Sequence, residues 1–580
     1  MSDTFIYEDS NEPQITLEPF VQKQWVWALD QNAGSYSGGQ VLLDTSSLSN
    51  SGKYVAYSEA FFVIPIVMRM SATSANAQVA GVRNLRSAFA AGLKSGYFQF
   101  LYSATVEYNN TSVVQLVPNL HHYVNYKLLT SFSQESLEKY GALIGFYPDS
   151  FLSVKYGAQV AIDANGHGVL NNRDLPQFPA TVYTWDAVND KANNEGYFWR
   201  QKNTTALDPT SPAAISTFMS PSQAGQYGLN YFRLGTGADV DSKYWFVTAI
   251  IRLKDMADFF DKLPLVKGAF VRFTLNLNLA THNFSITTNA GAVTDVSISQ
   301  NILTNGNSPL MITNASQAGN GLYELGTVLG AIGNGTYTFS LTANVGRDPS
   351  TLVQHPTLNG VRLYAPLYTF NPVQEEAYLS LNKIKTIRYH DLYNYTIDVS
   401  CTGTPGSLQG QITALLTNGV PNPQYLILIP YVAAGSNNTG NGTAAISAYG
   451  SPFASEPGTS SCGITLTDLN VQVAGVNIFQ QNELYSWENF SEELALNNAI
   501  NGSQVDGLNS GLISYQAWNN NYRYYTVNIS RRLPAENAVP KSIQVTATVL
   551  SGSIEKVQLQ AFLVWGREIA IDLETGAKIA

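Results

Sequence analysis

The chain has 580 residues, too many for one ordinary hydrophobic core, so two or more domains are expected. Hydrophobic residues make up 44% of it, as in globular proteins, but charged residues only 13%, so its wet surfaces must be built from Asn, Gln, Ser and Thr. A net charge of −10 with no Lys/Arg run at either terminus excludes sequence-independent nucleic-acid binding, which needs clustered cations to displace counterions.

The N-terminus, M-S-D-T-F-I-Y-E-D-S, is acidic and lacks the positive and apolar regions of a secretory signal. No uninterrupted apolar run reaches the ~20 residues of a membrane helix. The expectation is a protein made and assembled inside a cell. Two cysteines, Cys401 and Cys462, do not make a disulfide framework in a chain this long; they could pair, but read more simply as small buried residues. Asn-x-Ser/Thr triplets at Asn203, Asn283, Asn314, Asn334, Asn394, Asn441, Asn489 and Asn528 are then by-products of composition, and Asn394 and Asn528 fall inside expected strands.

Along the chain, Tyr57–Met70 predicts an early strand with an Ile-Pro step. Val82–Lys94 predicts a helix, with Val82, Leu85, Phe89 and Leu93 spaced three to four apart. His121 and His122 fall beside expected strand residues, and Ser133–Tyr140 predicts a helix start. Lys243–Leu253 predicts a strand and Leu253–Leu263 a short amphipathic helix ending in a Pro-Leu stop. In Val271–Leu277 the residues Val271, Phe273, Leu275 and Leu277 alternate with Arg272, Thr274 and Asn276, which makes one face buried and one wet. Ala280–Gly321 and Ala433–Ser461 predict long Gly/Asn/Ser/Thr loops, with Asp163–Lys202 a third candidate. Elsewhere, short alternating strands are broken by Gly, Asn, Pro and Ser, the pattern of a sandwich, jelly roll or barrel.

The chain also repeats itself once at half-chain scale. Lys243–Leu253 parallels Arg523–Leu533, each followed by a Pro-containing loop. Val271–Leu277 then parallels Ile543–Val549, and Tyr337–Ala343 parallels Val557–Trp565 as a final strand. Two copies of one architecture are expected, each closing a core between two sheets. The division falls near Arg347–Val361, giving residues 1–350 and 351–580, with Asn278–Ser285 as the competing position.

Five blocks carry a resemblance: Tyr57–Met70 (Y-S-E-A-F-F-V-I-P-I-V-M-R-M), Gly92–Gln115, Tyr126–Ser150 closing in G-F-Y-P-D-S, Arg252–Asn278 with its Leu-Pro-Leu step, and the pair Val361–Pro372 and Tyr425–Tyr431. In this order they resemble the major capsid proteins of virophages and polinton-like viruses. The resemblance implies an all-β chain of two consecutive eight-stranded jelly rolls with long loops and a few short helices. It places Val361–Pro372 and Tyr425–Tyr431 in the second half and the long loops on the outer surface of a particle. It implies a homotrimeric, pseudo-hexagonal capsomer that tiles an icosahedral shell of a double-stranded DNA virus. It also implies a separate single-jelly-roll penton protein, minor capsid proteins and a location in the virion.

Chemistry-bearing motifs are few. The histidines His121, His122, His167, His282, His355 and His390 lack metal-ligand spacing, and neighbours on a strand point to opposite faces. Asp163-Ala-Asn165-Gly166 opens like a calcium loop but lacks a closing acid, so it reads as a turn. Glu59, Asp149, Asp186, Glu195, Glu375 and Glu376 are carboxylates a glycosidase could pair, though sequence alone does not bring any two together. Phe259, Phe260 and Leu263 read as a plug for one barrel end. No catalytic, cofactor or metal residue is expected, and the chain is not expected to be an enzyme. The competing reading is a β-rich carbohydrate-binding or glycoside-hydrolysing protein, suited by abundant Tyr and Trp; a filament or tail-spike subunit is a third.

Overall fold

The structure is a computed structural model. It describes residues 19–32, 34, 36, 39–72, 89–149, 196, 200, 232–234, 242–279, 281–289, 292–299, 309–314, 317–318, 322–323, 335–350, 353–355, 358, 360–433, 436–438, 443–444, 464–496, 511–520, 522–530, 539–552 and 554–579.

The first unit is built from β1 (Phe20–Leu29), β2 (Gln40–Asp44), β3 (Phe61–Ala72), β4 (Leu101–Tyr108), β5 (Thr111–Val114), β6 (Ser242–Arg252) and β7 (Val271–Leu277). An excursion follows through β8 (Thr281–Asn289), β9 (Ala292–Ser299) and β10 (Gly335–Val345), and the unit closes with β11 (Arg362–Phe370). One sheet runs β1–β11–β3–β6 and the facing one β2–β7–β4–β5, all antiparallel. Counting the excursion out, strand 1 pairs 8, 8 pairs 3 and 3 pairs 6, while 2 pairs 7, 7 pairs 4 and 4 pairs 5. That is the connectivity of a jelly roll.

The second unit repeats it. Its strands are β12 (Ile384–Ser400), β13 (Leu408–Val420), β14 (Pro423–Val432), β15 (Thr465–Val473), β16 (Val476–Asn477), β17 (Tyr525–Asn528), β18 (Lys541–Gly552) and β19 (Lys556–Asp572). The sheets run β12–β19–β14–β17 and β13–β18–β15–β16, which is again 1-8-3-6 facing 2-7-4-5. The chain is a double jelly roll.

In β7 the alternation works as the sequence predicts: Val271, Phe273 and Leu275 have no exposed surface, while Arg272 is in water. In β14 the run Leu426–Ile429 is buried on both faces, because something covers the outer face of that sheet as well as the inner one. The cover is α1 (Leu120–Ser131) of the first unit, in the connection between β5 and β6. It is followed by α2 (Gln134–Ile144), whose Ser133 hydroxyl accepts the Ser136 N–H at 3.1 Å and whose Gly145 ends the helix at a φ of +64°. Two short helices, α3 (Leu253–Met256) and α4 (Asp258–Lys262), join β6 to β7. The segment α5 (Pro372–Asn382) links the two units; Asn371 accepts the Val373 N–H and Pro372 takes the first helical position. In the second unit α6 (Trp487–Leu496) and α7 (Tyr515–Asn520) occupy the connection corresponding to α1.

Four expectations are corrected. Arg362–Phe370 was expected to belong to the second half; it is the eighth strand of the first barrel, paired with β1 and β3. A division after residue 350 therefore separates it from every strand it pairs with, and pairing changes sides only between Phe370 and Ile384. Gly335–Val345, expected as the final strand, belongs instead to the excursion, where it pairs with the outer half of β3. Of the expected helix Val82–Lys94, residues 82–88 lie outside the described residues, and Phe89–Leu93 is a strand paired with Leu310–Asn314. His121 and His122 sit on helix α1, not on a strand. Part of the expected loop Ala280–Gly321 is the hairpin β8–β9, joined through β10 to the first barrel.

Candidate functional site

The two barrels meet across the outer face of the β12–β19–β14–β17 sheet, and the polar groups at this joint are matched one to one. On α1, the Tyr126 hydroxyl bonds that of Thr526 at 2.7 Å, the Asn125 amide donates to the Tyr524 hydroxyl at 3.1 Å, and Tyr123 packs on Phe562. The Asn394 amide donates to the Pro118 carbonyl at 2.8 Å. Asp258, at the start of α4, accepts the His390 backbone N–H at 3.0 Å, and its carboxylate lies 3.4 Å from the His390 ring. Burial works against this carboxylate, but the bonds from His390 and the Lys127 charge prevail, and its pKa falls to about 2.

Arg567 closes the joint from the second barrel. It donates to the carbonyls of Ser112 and Val113 on β5 and pairs with Asp391 at 2.8 Å. The Tyr389 hydroxyl donates to the same Val113 carbonyl at 3.0 Å. Phe259, fully buried, makes edge contacts with Tyr108 of the first barrel and Tyr389 of the second. Phe259, Phe260 and Leu263 are thus buried as expected, but they seal the seam between barrels as well as one barrel's end. A single apolar cluster runs through both cores.

The equivalent outer face of the first barrel has no such cover. Register places Trp27, Tyr364 and Phe61 side by side across β1, β11 and β3, and Leu29, Arg362 and Val63 in the next row. Phe61 stacks on Tyr364 at 5.5 Å, Trp25 leans on Phe61, and the Arg362 guanidinium lies 4.4 Å from the Trp27 ring centre. Trp25 is 47% and Trp27 48% exposed. Large exposed aromatics in contiguity mark a contact surface more strongly than scattered ones. The sequence reading missed this face: β1 reads F-V-Q-K-Q-W-V-W-A-L, and nothing local says which side of it the partner barrel leaves open.

The residues singled out for chemistry are placed as structural parts. Glu59 pairs with Lys23 at 2.6 Å and accepts the Tyr368 hydroxyl. Asp149 forms a fully buried ion pair with Arg200 at 2.7 Å. Glu375 accepts the Tyr54 hydroxyl at 3.0 Å and lies 3.6 Å from the Lys267 ammonium. Glu376 is on α5, and Asp186 and Glu195 lie outside the described residues. None of these contacts joins two of the carboxylates. His121 and His282 are fully buried, and burial with the nearby Lys94 charge pushes both down to about 3, so both are neutral near pH 7. Burial likewise lowers His355 to about 4. The His121 and His122 rings lie 4.2 Å apart on α1, so the two residues are neighbours, not opposed as a strand would make them. Among the described residues no group of three or more His, Cys, Asp or Glu is placed to hold a metal ion, and no helix is long and apolar enough to cross a membrane.

Cys401 is a buried free thiol whose pKa burial raises; Cys462, His167 and the Asp163–Gly166 turn lie outside the described residues. Asn394 and Asn528 are in strands as expected, and both side chains are used in internal hydrogen bonds.

No protein-family model and no curated protein sequence matches the chain. Among solved structures, 98% of the chain is similar to 90% of a chain in the cryo-EM structure of the Sputnik virophage, at 12% identity and a TM-score of 0.41. It is similar over 98% of its length to 94% of the Faustovirus major capsid protein, at 10% identity and a TM-score of 0.42. The mavirus major capsid protein is similar over 99% of this chain and 94% of its own, at 10% identity and a TM-score of 0.36.

Proposed function

We propose that this chain is a structural major capsid protein, one whose copies join as trimeric capsomers that tile the icosahedral shell of a double-stranded DNA virus. The observation that carries the reading is the pair of jelly rolls standing side by side in one chain, the second sheathed by the first and the first left bare on the matching face. A subunit with two like units and one unsatisfied joint closes on itself only by adding copies; three copies give a ring of six barrels. The sequence blocks that resemble virophage and polinton-like capsid proteins support the same reading. The carboxylates that would serve a glycosidase are instead held in structural contacts, as with Asp149 against Arg200.

We further propose that the functional division between barrels lies in α5, between Phe370 and Ile384, since pairing changes sides there. Partners then follow from the reading: further trimers, a penton protein at five-fold vertices and minor capsid proteins. Catalysis has no part in it. Light scattering on the purified full-length chain tests it. A particle of three times the 63.1 kDa subunit mass supports the reading, and a monomer at micromolar concentration overturns it.

A further inference from the structure

The joint inside one chain is a template for the joint between chains. The first barrel covers the second with three pieces of chain: strand β5, the β5–β6 connection carrying Pro118 and α1, and the β6–β7 connection carrying Asp258 and Phe259. The second barrel has the same three pieces: β16, the β16–β17 connection carrying α6 and α7, and the β17–β18 connection. In the second barrel they cover no other barrel. They nevertheless carry large apolar side chains in water: Val476 on β16, Leu484, Leu496 and Tyr515 in the next connection, and Val539 in the last. Tyr515 is 57% and Leu496 51% exposed.

The receiving side is also present and also bare. In the second barrel the outer face of the 1-8-3-6 sheet is buried, with Phe562, Val564 and Ile427 fully inaccessible. In the first barrel the corresponding face presents Trp25, Trp27 and Leu29 half-exposed beside Arg362. One chain thus holds one completed joint and both halves of a second.

We infer that the occupant of the Trp25–Trp27 face is the β16, β16–β17 and β17–β18 side of a second copy of this chain. The contact is head-to-tail: the two surfaces are different, and each subunit offers one to each neighbour. A head-to-tail contact closes into a ring when its rotation allows and otherwise propagates. Because it repeats the internal joint, each subunit turns by two barrel positions, and three subunits close the ring. The apolar character of both halves fits a permanent interface, where burial of aromatic anchors supplies most of the binding energy. This inference rests on the assembly reading and names the surfaces that carry it.

The test uses two full-length double variants. One carries Trp25→Asp and Trp27→Asp, the other Leu496→Asp and Tyr515→Asp. All four side chains are about half or more exposed, so folding is expected to survive, checked by thermal unfolding; Trp25→Gln with Trp27→Gln is the milder substitute if it does not. Each variant alone is expected to run as a monomer in light scattering where the parent chain is a trimer. Mixed, the two are expected to form a one-to-one dimer of twice the subunit mass, because each supplies the half that the other has lost. Variants that remain trimeric beside a trimeric parent overturn this inference and leave the assembly reading standing. A mixture that stays monomeric, or a Leu496/Tyr515 variant that dimerises with itself, overturns the head-to-tail pairing. A monomeric parent overturns the assembly reading itself.

Discussion

Replacing Phe259 by Ala probes the seam between the barrels. Its ring has no exposed surface and lies 5.8 Å from Tyr108, 5.4 Å from Phe260 and 5.1 Å from Tyr389, all at steep edge-to-face angles. Truncating a buried Phe to Ala costs about 3–5 kcal/mol through lost transfer energy and the cavity left behind. Three aromatic partners place it toward the upper end, since each such pair adds about 0.5–1.5 kcal/mol beyond area burial. Tyr389 also holds the Val113 carbonyl, so the void opens beside a hydrogen bond that crosses the seam. Relaxation of the ring into the void would strain that bond. Guanidinium unfolding followed by Trp fluorescence measures the loss; Phe259→Leu, which keeps much of the volume, should lose less than half as much. A loss under about 1 kcal/mol for Phe259→Ala would refute the packing described, because a ring with partners on both barrels cannot be removed so cheaply.

Acid should weaken the same seam through Asp258. Its carboxyl is held at about 2 against an ordinary value of 3.8, so its contribution is complete above 3.8 and is lost as pH falls through 2. The depression corresponds to stabilisation on the order of 2 kcal/mol. Asp258→Asn should remove that part of the pH dependence in acid titrations of stability, and an unchanged slope would contradict the assignment. Leu263→Asp puts an unpaired charge at a buried position and is expected to yield insoluble protein, whereas Leu265→Asp, only half-buried, should stay soluble with a lowered melting temperature; expression and solubility assays separate the two. Shortening Ala433–Ser461, the connection between the third and fourth strands of the second barrel, should leave the oligomeric mass unchanged by light scattering, and loss of trimers would place that segment in an interface.

What the sequence makes plain here is what is local. The alternation in Val271–Leu277 and the Ser133 cap of α2 depend on neighbours a few residues apart, and both stand as read. Helix α1 was invisible for a physical reason: Leu120, Tyr123, Val124, Tyr126, Leu128 and Leu129 are all buried, so it has no polar face and no helical period to detect. Phe89–Leu93 erred the other way. Its apolar spacing mimics a helix, but pairing with Leu310–Asn314, over two hundred positions away, settles it as a strand. The eighth strand of the first barrel was misassigned because the β8–β10 excursion separates it from β7, and only its pairing with β1 and β3 reveals where it belongs. The exposed Trp25–Trp27 face is a property of the assembled sheets: three strands from distant parts of the chain must come into register before their side chains form one surface.

Single-particle electron microscopy of the purified full-length protein tests the central claim most directly. The account predicts three-fold particles with a hexagonal outline, six barrels around a centre, in which each first barrel abuts the second barrel of the next copy. Particles with one pair of barrels, or two-fold dimers joined through like faces, would contradict it.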